Sequence, residues 1–355
     1  MKFKILVSFL IACASLMALP AYSFNMSEFL PEEKNTIEIF QKYSPKVVFI
    51  NRLKTVIKGV KRSQIPAGTG SGIIWDANGH IVTNFHVIKG ADALTITIGN
   101  ITVPAKIIGA EPRKDLAVLA IKAPKALARL KSFQPFELAS TAELLVGQKA
   151  IAIGNPFGLD HSLSVGVISA LGRQVPGIGG VVIREMIQTD SSINPGNSGG
   201  PLLDSKGRLI GLNTAIYSSS GSSAGVGFAI PASDILRLVP QIIKNGRVVL
   251  PGIGIQWVGS AVTKSLGVKK GIVVGALIPQ TPAADAGLRG VYRDNWGRLR
   301  LGDIIVALND SPTKNYDALY YFLANINVGD AIKVSILRQG RKLNFKMKTI
   351  DIAAF

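Results

Sequence analysis

From Val47 to Ile230 the sequence is a succession of short, β-branched apolar runs broken by Gly, Pro and Asn-Gly, and this pattern leaves few folds open. Ile73-Ile74-Trp75 and His80-Ile81-Val82 flank Asp76-Ala77-Asn78-Gly79, which predicts a hairpin on an Asn-Gly turn. Leu94–Ile98, Val103–Ile108 and Leu116–Ile121 continue a first set, and residues 124–134 read as a basic, irregular crossover. A second set runs Lys149–Ile153, Ser164–Leu171, Met186–Thr189, Leu202–Leu203, Leu209–Thr214 and Val226–Ile230. Without helices alternating between the strands, a parallel sheet is excluded and a β-sandwich or β-barrel is indicated. Helical patterns stand at the borders. Pro31–Tyr43 opens with Pro31 and two glutamates, and Pro231–Lys244 stops at Asn245-Gly246.

Within this frame lies Ile193-Asn194-Pro195-Gly196-Asn197-Ser198-Gly199-Gly200-Pro201. Glycines around Ser198 permit a tight turn and close approach of a substrate. Such a turn can aim the N–H groups of Gly196 and Ser198 at one point, so Gly196, Asn197 and Ser198 frame a candidate oxyanion hole. A nucleophilic serine also needs a base and a group that orients it. Of the three histidines, His80 begins a hairpin strand and reads as structural, whereas His86 ends the run Ile81–Phe85. Asp115 follows 29 residues after His86, at the mouth of the apolar strand Leu116–Ile121. His86, Asp115 and Ser198 therefore form the candidate catalytic set, in the chain order of chymotrypsin.

The N-terminus reads as an export signal. Met1-Lys2-Phe3-Lys4 is basic, Ile5–Leu19 is apolar, and Pro20-Ala21-Tyr22-Ser23 offers small residues for cleavage, expected after Ser23. Two other fates stay open. The run could remain as an anchor, though it is short for a span and is broken by Pro20, or Cys13 could be acylated. Cys13 is the only cysteine, so a cleaved chain has no disulfide and depends on its cores and on assembly. The formal charge of +18 is spread over the chain with no Lys/Arg block interleaved with aromatics, so no nucleic-acid partner is expected. A basic surface suits weak association with anionic membrane surfaces or acidic unfolded chains. Neither metal nor other cofactor is expected.

Thr83-Asn84-Phe85-His86-Val87, Asp115-Leu116-Ala117-Val118-Leu119 and Gly196-Asn197-Ser198-Gly199-Gly200, taken in order, resemble the HtrA/Deg family of serine endopeptidases. Gly154-Asn155-Pro156-Phe157-Gly158-Leu159-Asp160-His161 and Gln188-Thr189-Asp190 bring the likeness closest to the chloroplast-lumenal Deg type and its bacterial periplasmic relatives. The last hundred residues resemble a PDZ domain. Gly302-Asp303-Ile304-Ile305-Val306-Ala307-Leu308-Asn309 stands as its strand signature, Gly252-Ile253-Gly254-Ile255 as its peptide-binding loop, and Asn315–Asn325 as its helix. A basic insertion, Val291–Arg300, departs from the simplest PDZ pattern.

The resemblance implies a mainly β protein: a chymotrypsin-like pair of six-stranded barrels followed by one PDZ domain. The implied boundaries are a signal peptide 1–23, an oligomerisation arm 24–45, a protease domain 46–244, a linker 245–250 and a PDZ domain 251–350. It implies a primary pocket formed by Ser192, Ile193, Asn213, Thr214 and Ile216. Ser192 stands where trypsin-like enzymes carry an acid, so small or medium aliphatic side chains are expected there. Asn197 replaces the aspartate that pairs with a cleaved N-terminus in digestive enzymes, so control is expected from the loops Arg173–Ile183, Asn155–Ser162 and Ser218–Gly225. The implied function is ATP-independent degradation of misfolded or unfolded polypeptides in the periplasm, by a homo-trimer or assemblies of trimers, with peptide C-termini bound at the PDZ domain. Two alternatives stay open: a chaperone or holdase, and a membrane-tethered stress-signalling protease.

Overall fold

The computed structural model describes residues 26–158, 160–177, 182–194, 196–216 and 225–352. The leader with Cys13, Phe24, Pro195, parts of the loops 155–162 and 173–183, nearly all of 218–225 and the Ile216 side chain lie outside the described residues. The chain divides into two compact units, one ending at Glu38 and one beginning at Ile39. In the first lie a short turn at Met26–Glu28 and the opening of helix α1 (Pro31–Tyr43), whose last residues, Ile39–Tyr43, belong to the second. The Glu33 carboxylate accepts from the Leu30 N–H at 2.8 Å, satisfying a donor that the start of the helix would leave free.

The second unit holds two closed barrels. Strands β1 (Val47–Lys58), β2 (Lys61–Ile74), β3 (His80–Asn84), β4 (Ala93–Ile98), β5 (Ile101–Glu111) and β6 (Leu116–Ile121) close in the order β1-β2-β3-β6-β5-β4. Strands β7 (Lys149–Gly154), β8 (Ser162–Pro176), β9 (Val182–Thr189), β10 (Pro201–Leu203), β11 (Leu209–Ile216) and β12 (Gly227–Pro231) close in the order β10-β11-β12-β9-β8-β7. Every pairing in both barrels is antiparallel.

The unbroken apolar run of β6 has a direct cause. Ala117, Leu119 and Ile121 point into the first barrel with Ile50, Ile74 and Ile96. Leu116 and Val118 point the other way, into a second core shared with Ile151, Ile153 and Leu212. Successive side chains of a strand face opposite sides, and here both sides are buried. Each Leu, Ile or Val among them contributes about 1.5–3 kcal/mol when withdrawn from water. Helix α2 (Phe85–Ile88) is a single turn at the end of β3, and α3 (Ala232–Asn245) packs Ile235, Leu238, Val239 and Ile242 into the shared core. Gly246, at φ 73°, ends α3, with its N–H on the Ile242 carbonyl.

The β1–β2 hairpin is longer than the apolar pattern indicates. Lys61–Gln64 is polar and exposed, so it carries no alternation, yet it pairs with β1 as far as Lys58↔Lys61.

The C-terminal part contains β13 (Ile255–Trp257), β14 (Ile272–Leu277), the hairpin β15 (Tyr292–Arg293) and β16 (Leu299–Arg300), β17 (Ile304–Leu308), helix α4 (Tyr316–Leu323), β18 (Ala331–Arg338) and β19 (Arg341–Lys348). The main sheet runs β13-β14-β17-β18-β19. The Asn315 side chain caps α4 by accepting from the Ala318 N–H at 2.9 Å. This part is fastened to the barrels at several points. Asp317 on α4 pairs with Arg184 on β9 and also accepts from the Val182 N–H. Arg113 stacks over the Tyr320 ring at 4.5 Å, and Arg247 pairs with Asp351 at 2.7 Å.

Candidate active site

Strand β3 ends at Asn84, and the turn of α2 that follows is anchored by Val87 and Ile88 in the first barrel's core. That anchorage sets His86 at the barrel's rim with its ring part exposed. Asp115 sits in the left-handed region at φ 53°, a conformation that Asp tolerates better than most residues. Its carbonyl accepts from the Phe85 N–H and the Asn84 amide, both at 3.1 Å. Its carboxylate is buried and takes three donors. Oδ1 accepts from the His86 N–H at 2.9 Å, and Oδ2 accepts from His86 Nδ1 at 2.7 Å and from Thr214 Oγ1. With Nδ1–H committed to the carboxylate, Nε2 is the free basic nitrogen of the neutral ring.

Ser198 enters from the second barrel on a turn held by both. The Ser71 N–H donates to the Ser198 carbonyl at 2.8 Å, and Ser71 Oγ donates to the Gly196 carbonyl at 2.6 Å while accepting from the Asn155 N–H at 2.8 Å. Gly199, at φ 84°, admits no side chain, because a Cβ would lie 2.1 Å from the Ser71 carbonyl oxygen. The Ser198 hydroxyl donates to the Thr214 carbonyl at 3.1 Å. The N–H groups of Gly199 and Gly200 are used within the fold, by Asn213 and Asn197. Those of Gly196 and Ser198 have no partner among the described residues.

Asn197 differs from its expected place among the donors. Its N–H is tied to the Asn194 carbonyl at 3.1 Å, and its side chain bridges the Asn194 N–H and the Ser192 carbonyl. It braces the turn instead of facing a substrate. The expected pocket residues also separate. Ser192 is exposed and lines an open cleft of about 390 Å³ with Ser162, Leu163 and Asn194. Ile193 packs in the second barrel's core, and Asn213 is fully buried with its amide on the Pro201 carbonyl, so both lie behind the surface. Thr214 is the clearest reassignment, since its hydroxyl holds Asp115. A second cleft, of about 320 Å³, is lined by His86, Thr214, Val175, Pro176, Ile183 and Met186.

His80 and His161 are structural. His80 Nδ1 meets Asp76 Oδ2 at 2.6 Å within the β2–β3 turn, and His161 Nε2 lies 2.8 Å from the Val47 carbonyl. Among the described residues, no group of three His, Cys, Asp or Glu side chains is placed to hold a metal. Ser71 escaped the sequence reading. Its only signal is Gly68-Thr69-Gly70-Ser71-Gly72, where glycines in a strand mark a close approach of other chain segments.

In the C-terminal part, a narrow cavity of about 60 Å³ lies between β13 and α4. Gly252, Gly254 and Ile255 line it, as do Tyr316 and Tyr320. Ile253 also borders it, but its side chain is buried in the local core, which leaves its backbone to the cavity. The Trp257 and Tyr316 rings stack at 4.2 Å across one end. From the barrel side, Arg113 and Arg237 reach the same cavity. Burial opposes the Arg113 charge, but the bidentate Glu111 carboxylate outweighs it and holds the guanidinium above its ordinary value.

Comparison with known proteins agrees with this geometry. Residues 70–212 match the trypsin-like peptidase domain and residues 251–349 match the PDZ domain. Protease Do-like 1, chloroplastic, of Arabidopsis thaliana is 46% identical over 315 residues, covering 88% of this chain and 70% of that protein. The periplasmic serine endoprotease DegP of Escherichia coli is 35% identical over 285 residues, covering 79% of this chain and 56% of that protein. The solved structure of the HtrA-type protease AlgW with decapeptide superposes with a TM-score of 0.66 at 31% identity, covering 89% of this chain and 98% of that one. Two closed barrels with a serine, a histidine and an aspartate at their junction, followed by one PDZ domain, thus agree with the sequence relatives, and the chain belongs to the HtrA/Deg family of serine endopeptidases.

Proposed function

We propose that Ser198 is the nucleophile, His86 its general base and Asp115 the group that fixes the imidazole. Ser198 Oγ attacks the peptide carbonyl carbon while His86 Nε2 takes its proton. The same nitrogen then gives that proton to the leaving amine, and water repeats the cycle on the acyl-enzyme. Asp115 keeps the hydrogen on Nδ1 and stabilises the imidazolium as it forms. The free N–H groups of Gly196 and Ser198 receive the developing oxyanion, which matters most because such fixed donors need no reorganisation. The observation that carries this reading is the Asp115 carboxylate, held by three donors beside a serine whose turn leaves two N–H groups available.

The substrates on this reading are misfolded or unfolded polypeptides of the periplasm, cleaved after small or medium aliphatic side chains. The uncharged Ser192 and the apolar cleft walls Val175, Ile183 and Met186 support that preference. Peptide C-termini bind beside β13, with the backbone from Gly252 to Ile255 taking the carboxylate. Regulation follows from two contacts. The Ser198 hydroxyl rests on Thr214 and must turn toward His86 before attack. The wall strand β9 carries Arg184, which is joined to Asp317 beside the peptide cavity. A peptide that shifts α4 thereby acts on the cleft. The working unit is a homo-trimer organised by residues 24–45, the protease region is 46–244, and residues 245–250 link it to the PDZ domain at 251–350.

Degradation of an unfolded model protein by the wild type and by Ser198→Ala tests the core of this reading. Loss of roughly four to six orders of magnitude is expected, with an unchanged melting temperature. Cleavage by Ser198→Ala at the wild-type rate would overturn it.

A further inference from the structure

The hairpin β15–β16 serves no purpose in the reading above, and it is built to display an aromatic side chain. Trp296 at its tip is 76% exposed and Tyr292 at its base is 56% exposed. Neither joins the core of the C-terminal part. The tip is nevertheless rigid. Asp294 Oδ1 accepts from the N–H groups of Trp296 and Arg298 at 3.0 and 2.9 Å, and Oδ2 accepts from Nε of Arg298 and Arg300. The backbone closes the turn between Asp294 and Arg298, with Gly297 at φ 76°. At the base, the Val291 N–H donates to the Val274 carbonyl, and Gly302 packs so closely on Gly290 that a Cβ there would lie 2.2 Å from its oxygen. A loop that served only as a connection would not need this much fixing.

What the tip presents is chemically specific. Arg298 lies over the Trp296 ring at 4.8 Å, Arg293 donates to the Gly297 carbonyl and Arg300 to Asp294, so the hairpin carries three arginines against the single acid Asp294. Tryptophan and tyrosine favour the depth of lipid headgroups, where a ring is half buried and its N–H or O–H stays wet. Arginines beside them add attraction to an anionic surface. An acidic polypeptide would satisfy the charges but gives no reason for a lone, rigidly held tryptophan at an apex.

We propose that the hairpin Tyr292–Arg300 is a peripheral membrane-docking element: Trp296 inserts among the headgroups of an anionic phospholipid bilayer while Arg293, Arg298 and Arg300 engage their phosphates. The interaction is reversible, because one ring and a few charges give modest affinity. It is independent of catalysis and of peptide binding at β13.

Co-sedimentation of the full-length chain with phosphatidylcholine vesicles, with and without phosphatidylglycerol, tests this assignment. Binding is expected only with phosphatidylglycerol, accompanied by a blue shift of tryptophan emission. Trp296→Ala should abolish the shift and weaken partitioning about tenfold. Arg298→Gln with Arg300→Gln should weaken it about fivefold per charge removed. Both variants should keep the wild-type proteolysis, and Trp296→Ala the wild-type melting temperature, since its side chain is exposed. The charge-matched control, Lys346→Gln with Lys348→Gln on β19, should bind vesicles as the wild type does. An equal loss in this control would reduce the effect to bulk charge and overturn the proposal. So would wild-type partitioning by Trp296→Ala, or a hairpin variant that still binds vesicles but loses affinity for an acidic unfolded protein.

Discussion

Ser71 Oγ donates to the Gly196 carbonyl oxygen across 2.6 Å, joining the first barrel to the turn that carries Ser198. The same oxygen accepts from the Asn155 N–H, so one hydroxyl fixes two segments of the second barrel. Ser71→Ala leaves a buried carbonyl and a buried N–H without partners, at about 1–3 kcal/mol. Activity should fall by about tenfold or more through kcat, with a lowered melting temperature. Calorimetry and initial rates on a chromogenic peptide measure both, and a variant equal to wild type in both would refute the brace.

Thr214 is bound at both ends of its role: its hydroxyl donates to Asp115 and its carbonyl receives the Ser198 hydroxyl. Thr214→Val removes only the first. A hydrogen bond to a charged group is worth about 1.5–3 kcal/mol, so kcat should fall roughly ten- to a hundredfold. Thr214→Ser should restore most of the loss. If Val and Ser behaved alike, the hydroxyl would have no part in holding Asp115.

The Arg184–Asp317 pair joins a wall of the cleft to the helix beside the peptide cavity. It belongs to the form in which Ser198 rests on Thr214. Asp317→Ala should therefore raise basal cleavage and flatten the response to a peptide with an apolar C-terminus. Linkage between such sites is typically about 1–3 kcal/mol, or roughly five- to 150-fold in rate or affinity. Unaltered activation by peptide in Asp317→Ala would show that the signal takes another route.

Burial, with the Glu111 charge behind it, raises the Tyr320 phenol well above its ordinary 10.0. A raised folded-state value on an acid means that the neutral form is favoured by folding. The contribution is complete below the unfolded value and is lost as pH climbs from there toward the folded value. Melting temperature should therefore drop above about pH 10 in the wild type, and the drop should shrink in Tyr320→Phe. Parallel melting curves for the two proteins from about pH 8 to about pH 11 would contradict the assignment.

The barrels and the placing of His86, Asp115 and Ser198 at their junction were legible because each rests on local sequence. Strand ends, an Asn-Gly turn and a glycine-framed serine carry their signal within a few residues. Thr214 and Ser71 were not legible as supports, since each acts across the fold on partners 99 and 125 residues away. Ile193 and Asn213 were expected in the pocket from the family resemblance, which does not say which face of a turn is buried. The link from Arg113 to Tyr320 was hidden for a related reason, because it depends on how α4 meets the turn before Asp115.

Closure of both barrels has a consequence for a protease that meets extended chains under the reading proposed above. Such chains add readily to any open sheet margin, and uncontrolled addition seeds aggregates. The closed part of each barrel has no such margin, so among the described residues margins remain where the β1–β2 hairpin runs past its neighbours and at the two sides of the main C-terminal sheet. Its β19 side carries Arg341, Lys342, Lys346 and Lys348, all exposed, which repel one another and disfavour growth. Its β13 side is only three residues long. An extended client can therefore be taken up as an added strand over one short register, too short for a second client to follow.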